Sequence, residues 1–168
     1  MSAVPTASNQ DAVQITRDGE RRLRERLAEL TTVKRAELTA RLRDTRGDGT
    51  SQADNPELTH VLDELMRLER RISELESLLA NAEIVDGDVP SGGRAAVGTR
   101  IVLQPLDAQA PLIEYELVSS AEADPGLGML SVESPIGAAA LGHRAGETIE
   151  VQAPRGPVRF RLEAVEAS

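Results

Sequence analysis

The stretch NPELTHVLDELMRLERRISELESLLANA, residues 55–82, decides the fold. Within it Leu58, Val61, Leu65, Leu68, Ile72, Leu75, Leu79 and Ala82 recur in alternating steps of three and four. That spacing is an unbroken a/d heptad seam, the mark of a helix that lays one apolar stripe against another helix. Asn55 suits an N-cap, Pro56 the first helical position and Glu57 the positive end of the helix dipole, so the helix is expected to begin at or just after Asn55.

Upstream of that stretch, Leu23, Leu27, Leu30, Val33, Leu38 and Leu42 follow mostly helical spacing after an N-cap candidate at Thr16, with a looser register around Lys34. A first helix running to about Arg46 is the expectation. From Arg17 to Arg46 there are ten basic and six acidic residues, a net of +4; from Asp54 to Asp88, three basic and ten acidic residues give -7. Two helices of opposite charge joined by a short turn predict an antiparallel hairpin. Thirty residues of helix reach about 45 Å at 1.5 Å per residue, so the turn is carried far from the rest of the chain. That turn is Gly47-Asp48-Gly49-Thr50-Ser51-Gln52-Ala53-Asp54. With Asp44 before it and Glu57 after it, Asp44, Asp48, Asp54 and Glu57 form an acidic tip. Turn chemistry alone would also explain its Gly and Asp residues.

After Asp86 the style changes. Residues 87–93 gather Gly, Pro and Ser and read as a linker, because such clusters break both helix and strand. Beyond them Thr99 to Leu103, Ile113 to Val118, Met129 to Val132, Thr148 to Val151 and Val158 to Val165 read as short strands. Ser134-Pro135-Ile136-Gly137-Ala138-Ala139-Ala140-Leu141 starts like a helix, with Ser134 as cap and Pro135 in the first turn, and Pro154-Arg155-Gly156-Pro157 reads as a turn. The expected class is α+β: a disordered tail at 1–14, an antiparallel coiled-coil hairpin at 15–86, a linker at 87–93, and at 94–168 a globular domain of antiparallel sheet with one short helix.

Composition narrows the chemistry. The chain of 168 residues has a formal net charge of -9, no Cys, no Trp, one Tyr and one Phe. Without cysteine there is no disulfide framework or thiolate metal site, and a cytoplasmic setting is the default. Only His60 and His143 could offer imidazole to zinc; His60 falls on an outward helix position and His143 in a Gly142-His143-Arg144 turn suited to a loop or partner contact. No run approaches the roughly 20 apolar residues of a membrane span, and the first residues lack the pattern of a signal peptide. With Tyr115 and Phe160 as the only aromatic residues, the chain has little with which to bind single strands by stacking.

Together these parts resemble the bacterial Gre family of transcript cleavage factors from Ile15 to Glu166. The resemblance is carried by Val132-Glu133-Ser134-Pro135-Ile136, by Ala140-Leu141-Gly142 and by the closing hairpin from Pro154 to Val165. Thr16 with Gly19, Leu79-Ala80-Asn81-Ala82-Glu83-Ile84-Val85-Asp86, Gly93-Arg94 and Val97-Gly98 add to it in the same order. The resemblance implies a globular domain similar in shape to FK506-binding domains, which docks on bacterial RNA polymerase, and a hairpin inserted into the secondary channel. It implies docking through Glu133, Ser134, Pro135 and Ile136, and it makes Arg41, Arg43 and Arg46 candidates for contact with nascent RNA. No stable cofactor is implied; a Mg²⁺ shared with the polymerase, met transiently by Asp48 and Asp54, is the one candidate.

The tip departs from the cleavage-competent pattern, in which Gly-Asp-Leu and a variable residue precede Glu-Asn-Ala-Glu-Tyr. There the acidic pair lies three apart; here Asp48 and Asp54 lie six apart. The expectation is therefore a monomeric regulator that modulates or inhibits transcription and is itself no enzyme. The alternative is a cleavage-competent factor that rescues backtracked polymerase. An isomerase or chaperone reading, from the globular shape alone, is weak because Tyr115 and Phe160 cannot line an aromatic pocket.

Overall fold

The computed structural model describes residues 12–46, 55–90, 92–107, 110–154 and 156–168. The chain divides into two compact units, one of residues 20–81 and one of the residues up to Gly19 together with 82–168.

In the helical unit, helix α1 (Arg17–Glu29) runs through a π-helical turn at Leu30–Lys34 into α2 (Arg35–Arg46), and α3 spans Pro56–Asn81. Asn55 caps α3 as expected, its side-chain oxygen accepting from the Leu58 backbone N–H at 3.1 Å. The α3 seam is inside: Leu58, Val61, Ile72 and Leu75 are buried, while Leu65, Leu68 and Leu79 are half-buried. Antiparallel pairing shows in the cross-helix ion pairs. Arg35 reaches Glu69 at 2.7 and 2.6 Å, and Arg41 reaches Glu64 at 3.0 Å.

The π-helical turn explains the loose register. Leu23 and Leu30 are buried in one heptad frame, whereas Leu38 and Leu42 are half-buried in a frame offset by one residue. A π turn accommodates one extra residue without ending the helix. Val33, expected on the seam, is 48% exposed and lies outside it. Thr31 and Thr32 donate their hydroxyls back to the carbonyls of Leu27 and Ala28, at 2.5 and 2.7 Å.

The other unit begins with β1 (Gln14–Thr16), paired in parallel with β2 (Glu83–Val85). Gln14 thus belongs to a strand and not to the expected tail; residues 1–11 of that tail lie outside the described residues. A five-stranded sheet follows, in the order β5-β4-β3-β7-β6, made of β3 (Thr99–Pro105), β4 (Ile113–Val118), β5 (Met129–Ser131), β6 (Thr148–Ala153) and β7 (Gly156–Ala167). Three of its pairings are antiparallel, but β4 and β5 run parallel, so the sheet is mixed where a wholly antiparallel one was expected. The reversal needed for an antiparallel β5 is undone between Val118 and Met129 by an excursion with a 3-10 turn at Pro125–Leu127, capped by the Asp124 side chain. Ile101, Leu103, Leu117, Ile149, Val151, Phe160 and Leu162 form the core, with Ala140 of the short helix α4 (Pro135–Ala140) closing it. No helix among the described residues is long and apolar enough to cross a membrane.

Candidate functional site

The expected tip divides at the edge of the described structure. Asp48 and Asp54 lie outside the described residues, as does the side chain of Arg46. Asp44 is exposed near the end of α2 and Glu57 is exposed in the first turn of α3. Their local energetics differ in sign. Glu57 sits at the positive end of its helix dipole, a placement that stabilises by about 0.3–1 kcal/mol. Asp44 sits near the negative end of α2, where helix stability offers no reason for a carboxylate. Among the described residues no group of three or more His, Asp or Glu side chains stands where it could hold a metal ion.

Of the three arginines, Arg41 is engaged: Glu64 accepts from it at 3.0 Å and also lies 3.1 Å from His60 Nε2. His60, on an outward position as expected, therefore shares Glu64 with Arg41. Such exposed pairs contribute about 0–1 kcal/mol. Arg43 is exposed one turn from the tip.

The expected docking run, Glu133 to Ile136, forms the entry to α4, and its four side chains do different things. Ser134 points inward: its hydroxyl donates to the Ser131 carbonyl at 2.6 Å and accepts from the Gly137 N–H at 3.1 Å, capping α4. Ile136 is half-buried against the core. Glu133 and Pro135 are exposed. A Cβ on Gly137 would meet the Ser131 carbonyl oxygen at 2.0 Å, so glycine there lets α4 sit directly on the end of β5. Ser134→Ala should therefore cost about 1 kcal/mol, the usual loss of an N-cap, and lower the melting temperature by about 4–8 °C. An unshifted thermal melt would show that the cap does not support the fold.

Near the far end of α4, His143 Nδ1 lies 2.7 Å from Glu147, which also accepts from the Arg144 N–H at 3.1 Å. That backbone donor, then His143, and the charge of Arg94 hold the Glu147 carboxyl below its usual range. A loop placement for His143 was expected; its partner within the loop was not.

One group had no sequence signal at all. Glu122, between the strands expected at Ile113 to Val118 and Met129 to Val132, is buried and accepts hydrogen bonds from Thr16.

Residues 90–167 match the family described as transcription elongation factor, GreA/GreB, C-term, and residues 13–84 match transcription elongation factor, N-terminal. A transcription elongation factor GreA of Chlorobaculum tepidum is 36% identical over 152 residues, covering 90% of this chain and 95% of that protein. One from Listeria monocytogenes is 36% identical over 155 residues, covering 92% of this chain and 95% of its own length. Among solved structures, the GreA factor homolog 1 of Thermus thermophilus is 29% identical, with a TM-score of 0.42 over 93% of this chain and 99% of that one.

Proposed function

Because the chain belongs to the Gre family of transcription elongation factors, we propose that it acts on bacterial RNA polymerase and stimulates cleavage of the nascent transcript in backtracked complexes. The observation that carries this reading is the 36% identity to a GreA factor across 90% of the chain, which spans both the hairpin and the sheet unit. The expectation that the chain is no enzyme is overturned by the same finding, since relatives named transcription elongation factor GreA align it with the Gre factors through which polymerase cleaves its transcript.

In this reading the sheet unit docks through the exposed Glu133 and Pro135, while the hairpin brings Asp48 and Asp54 to the polymerase's catalytic Mg²⁺ through the secondary channel. Two carboxylates could there hold a second ion, whose preference is for near-octahedral oxygen ligands at about 2.0–2.1 Å, and so activate a water for hydrolysis of the RNA. Asp44, which the helix itself does not need, adds negative charge beside the pair. Arg43, exposed near the tip, is the better candidate for an RNA phosphate, since Arg41 is already shared with Glu64.

A second reading, modulation or inhibition without cleavage, is favoured by one feature: Asp48 and Asp54 lie six residues apart in place of three. Adding purified protein to a backtracked elongation complex separates the two. RNA shortened from its 3′ end is the expected result. Unshortened RNA together with reduced full-length product in multi-round transcription would instead establish the inhibitory reading.

A further inference from the structure

The buried polar groups contain one cluster that the proposed mechanism does not use. Glu122, in the excursion after β4, is 6% exposed. Its carboxylate accepts from the Thr16 backbone N–H at 3.2 and 3.1 Å and from the Thr16 hydroxyl at 2.5 Å. On its other side it accepts from the Ser119 hydroxyl at 2.8 Å and the Ser119 N–H at 3.4 Å. The Thr16 hydroxyl passes the chain on, accepting from the Gly19 N–H at 2.9 Å. All of these residues belong to the sheet unit, whose boundary with the helical unit falls just after Gly19.

Burying a carboxylate is costly unless donors surround it, and here the donors and the positive end of α1 supply the compensation. A helix start needs far less. Asn55 caps α3 with a single side chain and no buried charge, and Thr16 already caps α1 by itself. Glu122 also excludes a side chain from Gly19. A Cβ there would lie 1.6 Å from the carboxylate oxygen Oε2, so this glycine is required by space and not by its backbone angles. β1 and β2 pair at Ile15↔Ile84 and Thr16↔Val85, so the two stretches of chain that border residues 20–81 are tied to each other.

We propose that Glu122 is a positioning residue for transcript cleavage: it holds Thr16 and the first turn of α1 within the sheet unit, so that the chain enters its first helix in one fixed backbone conformation. The proposal rests on the cleavage reading above. Docking by the Glu133–Ile136 run does not pass through the clamp, so the clamp should govern what happens after binding.

Gly19→Ala is the sharpest test, because it changes no polar group and places a better helix former in α1 while displacing the carboxylate. Glu122→Ala removes the clamp directly, and Thr16→Ser keeps both hydroxyl bonds. Affinity for core polymerase and the rate of RNA shortening at saturating factor are measured for each, together with amide hydrogen exchange of the free protein. Gly19→Ala and Glu122→Ala should bind within about twofold of wild type yet shorten RNA at least about tenfold more slowly at saturation, the scale of a small misplacement of reacting groups. Thr16→Ser should behave as wild type. Exchange at residues 16–20 should rise at least about tenfold in the first two variants, with the sheet core unchanged, as expected for local opening.

A full rate at saturation in Gly19→Ala and Glu122→Ala, even with lower stability, overturns the positioning role, and so does a loss confined to affinity. If wild-type protein shortens no RNA, the cleavage reading fails by itself, and the clamp is judged on exchange alone: unchanged rates at residues 16–20 overturn it.

Discussion

Asp54→Asn should abolish RNA shortening while leaving the protein folded and bound to polymerase. Asparagine keeps the size of the side chain and removes the charge, so any loss reports on the carboxylate as a ligand or electrostatic group and not on packing. Where two carboxylates hold one ion in a fixed geometry, each is needed, and the expected loss is at least about a hundredfold, the scale seen when one electrostatic stabiliser of a transition state is removed. Asp48→Asn should do the same. Asp44→Asn, one helix end away, should reduce the rate only modestly. If the three substitutions instead caused small, similar decrements that add up, the acidic tip would be acting as diffuse negative charge and not as a pair of ligands to one ion.

Leu75→Ala should destabilise the helical unit by about 2–5 kcal/mol, the usual range for a buried leucine truncated in a packed core. Leu75 is 2% exposed on the α3 seam. Leu68, on the same seam but half-buried, should cost clearly less when truncated. Urea unfolding followed by the helix signal in circular dichroism distinguishes the two, and equal losses would mean that the seam is packed alike at both positions in spite of their different exposure. RNA shortening should fall with Leu75→Ala because a probe that frays cannot present its tip, although the change lies far from any carboxylate used in the chemistry.

How much of this was legible in the sequence differs by element. The α3 seam was, since eight apolar residues in steps of three and four leave little alternative, and the cap at Asn55 followed from ordinary helix chemistry. The first helix was legible as a helix but not as an interrupted one. A π turn carries no residue signature of its own, so the extra residue showed only as a loosened spacing around Lys34, and Val33 was assigned to the wrong face. Strand positions were readable from Val, Ile and flanking Pro and Gly, whereas the direction of β5 depends on the path from Ser119 to Gly128, which local pattern does not encode. Strands β1 and β2, three residues each, are too short for alternation to register. Ser134 was legible as the cap of the short helix, with Pro135 in its first turn, whereas the second bond of the same hydroxyl, to the Ser131 carbonyl, was not, because nothing local brings the end of β5 beside it. Glu122 was invisible for a similar reason: its burial depends on Thr16, 106 residues away in sequence, and nothing in Ala121-Glu122-Ala123 announces it.

The π turn at Leu30–Lys34 also bears on how the length of this helix can change over evolutionary time. A residue deleted from an ordinary α-helical stretch rotates everything beyond it by about 100°, which would swing the tip-proximal seam out of contact. A residue deleted within 30–34 would instead let the helix relax to regular α geometry while Leu23 and Leu30 on one side, and Leu38 and Leu42 on the other, kept their faces. The turn is thus the place in the first helix where a single-residue deletion is silent for packing, and a one-residue alignment gap falling there marks the loss of the bulge, with the reach of the arm altered by a fraction of a turn and its working face preserved.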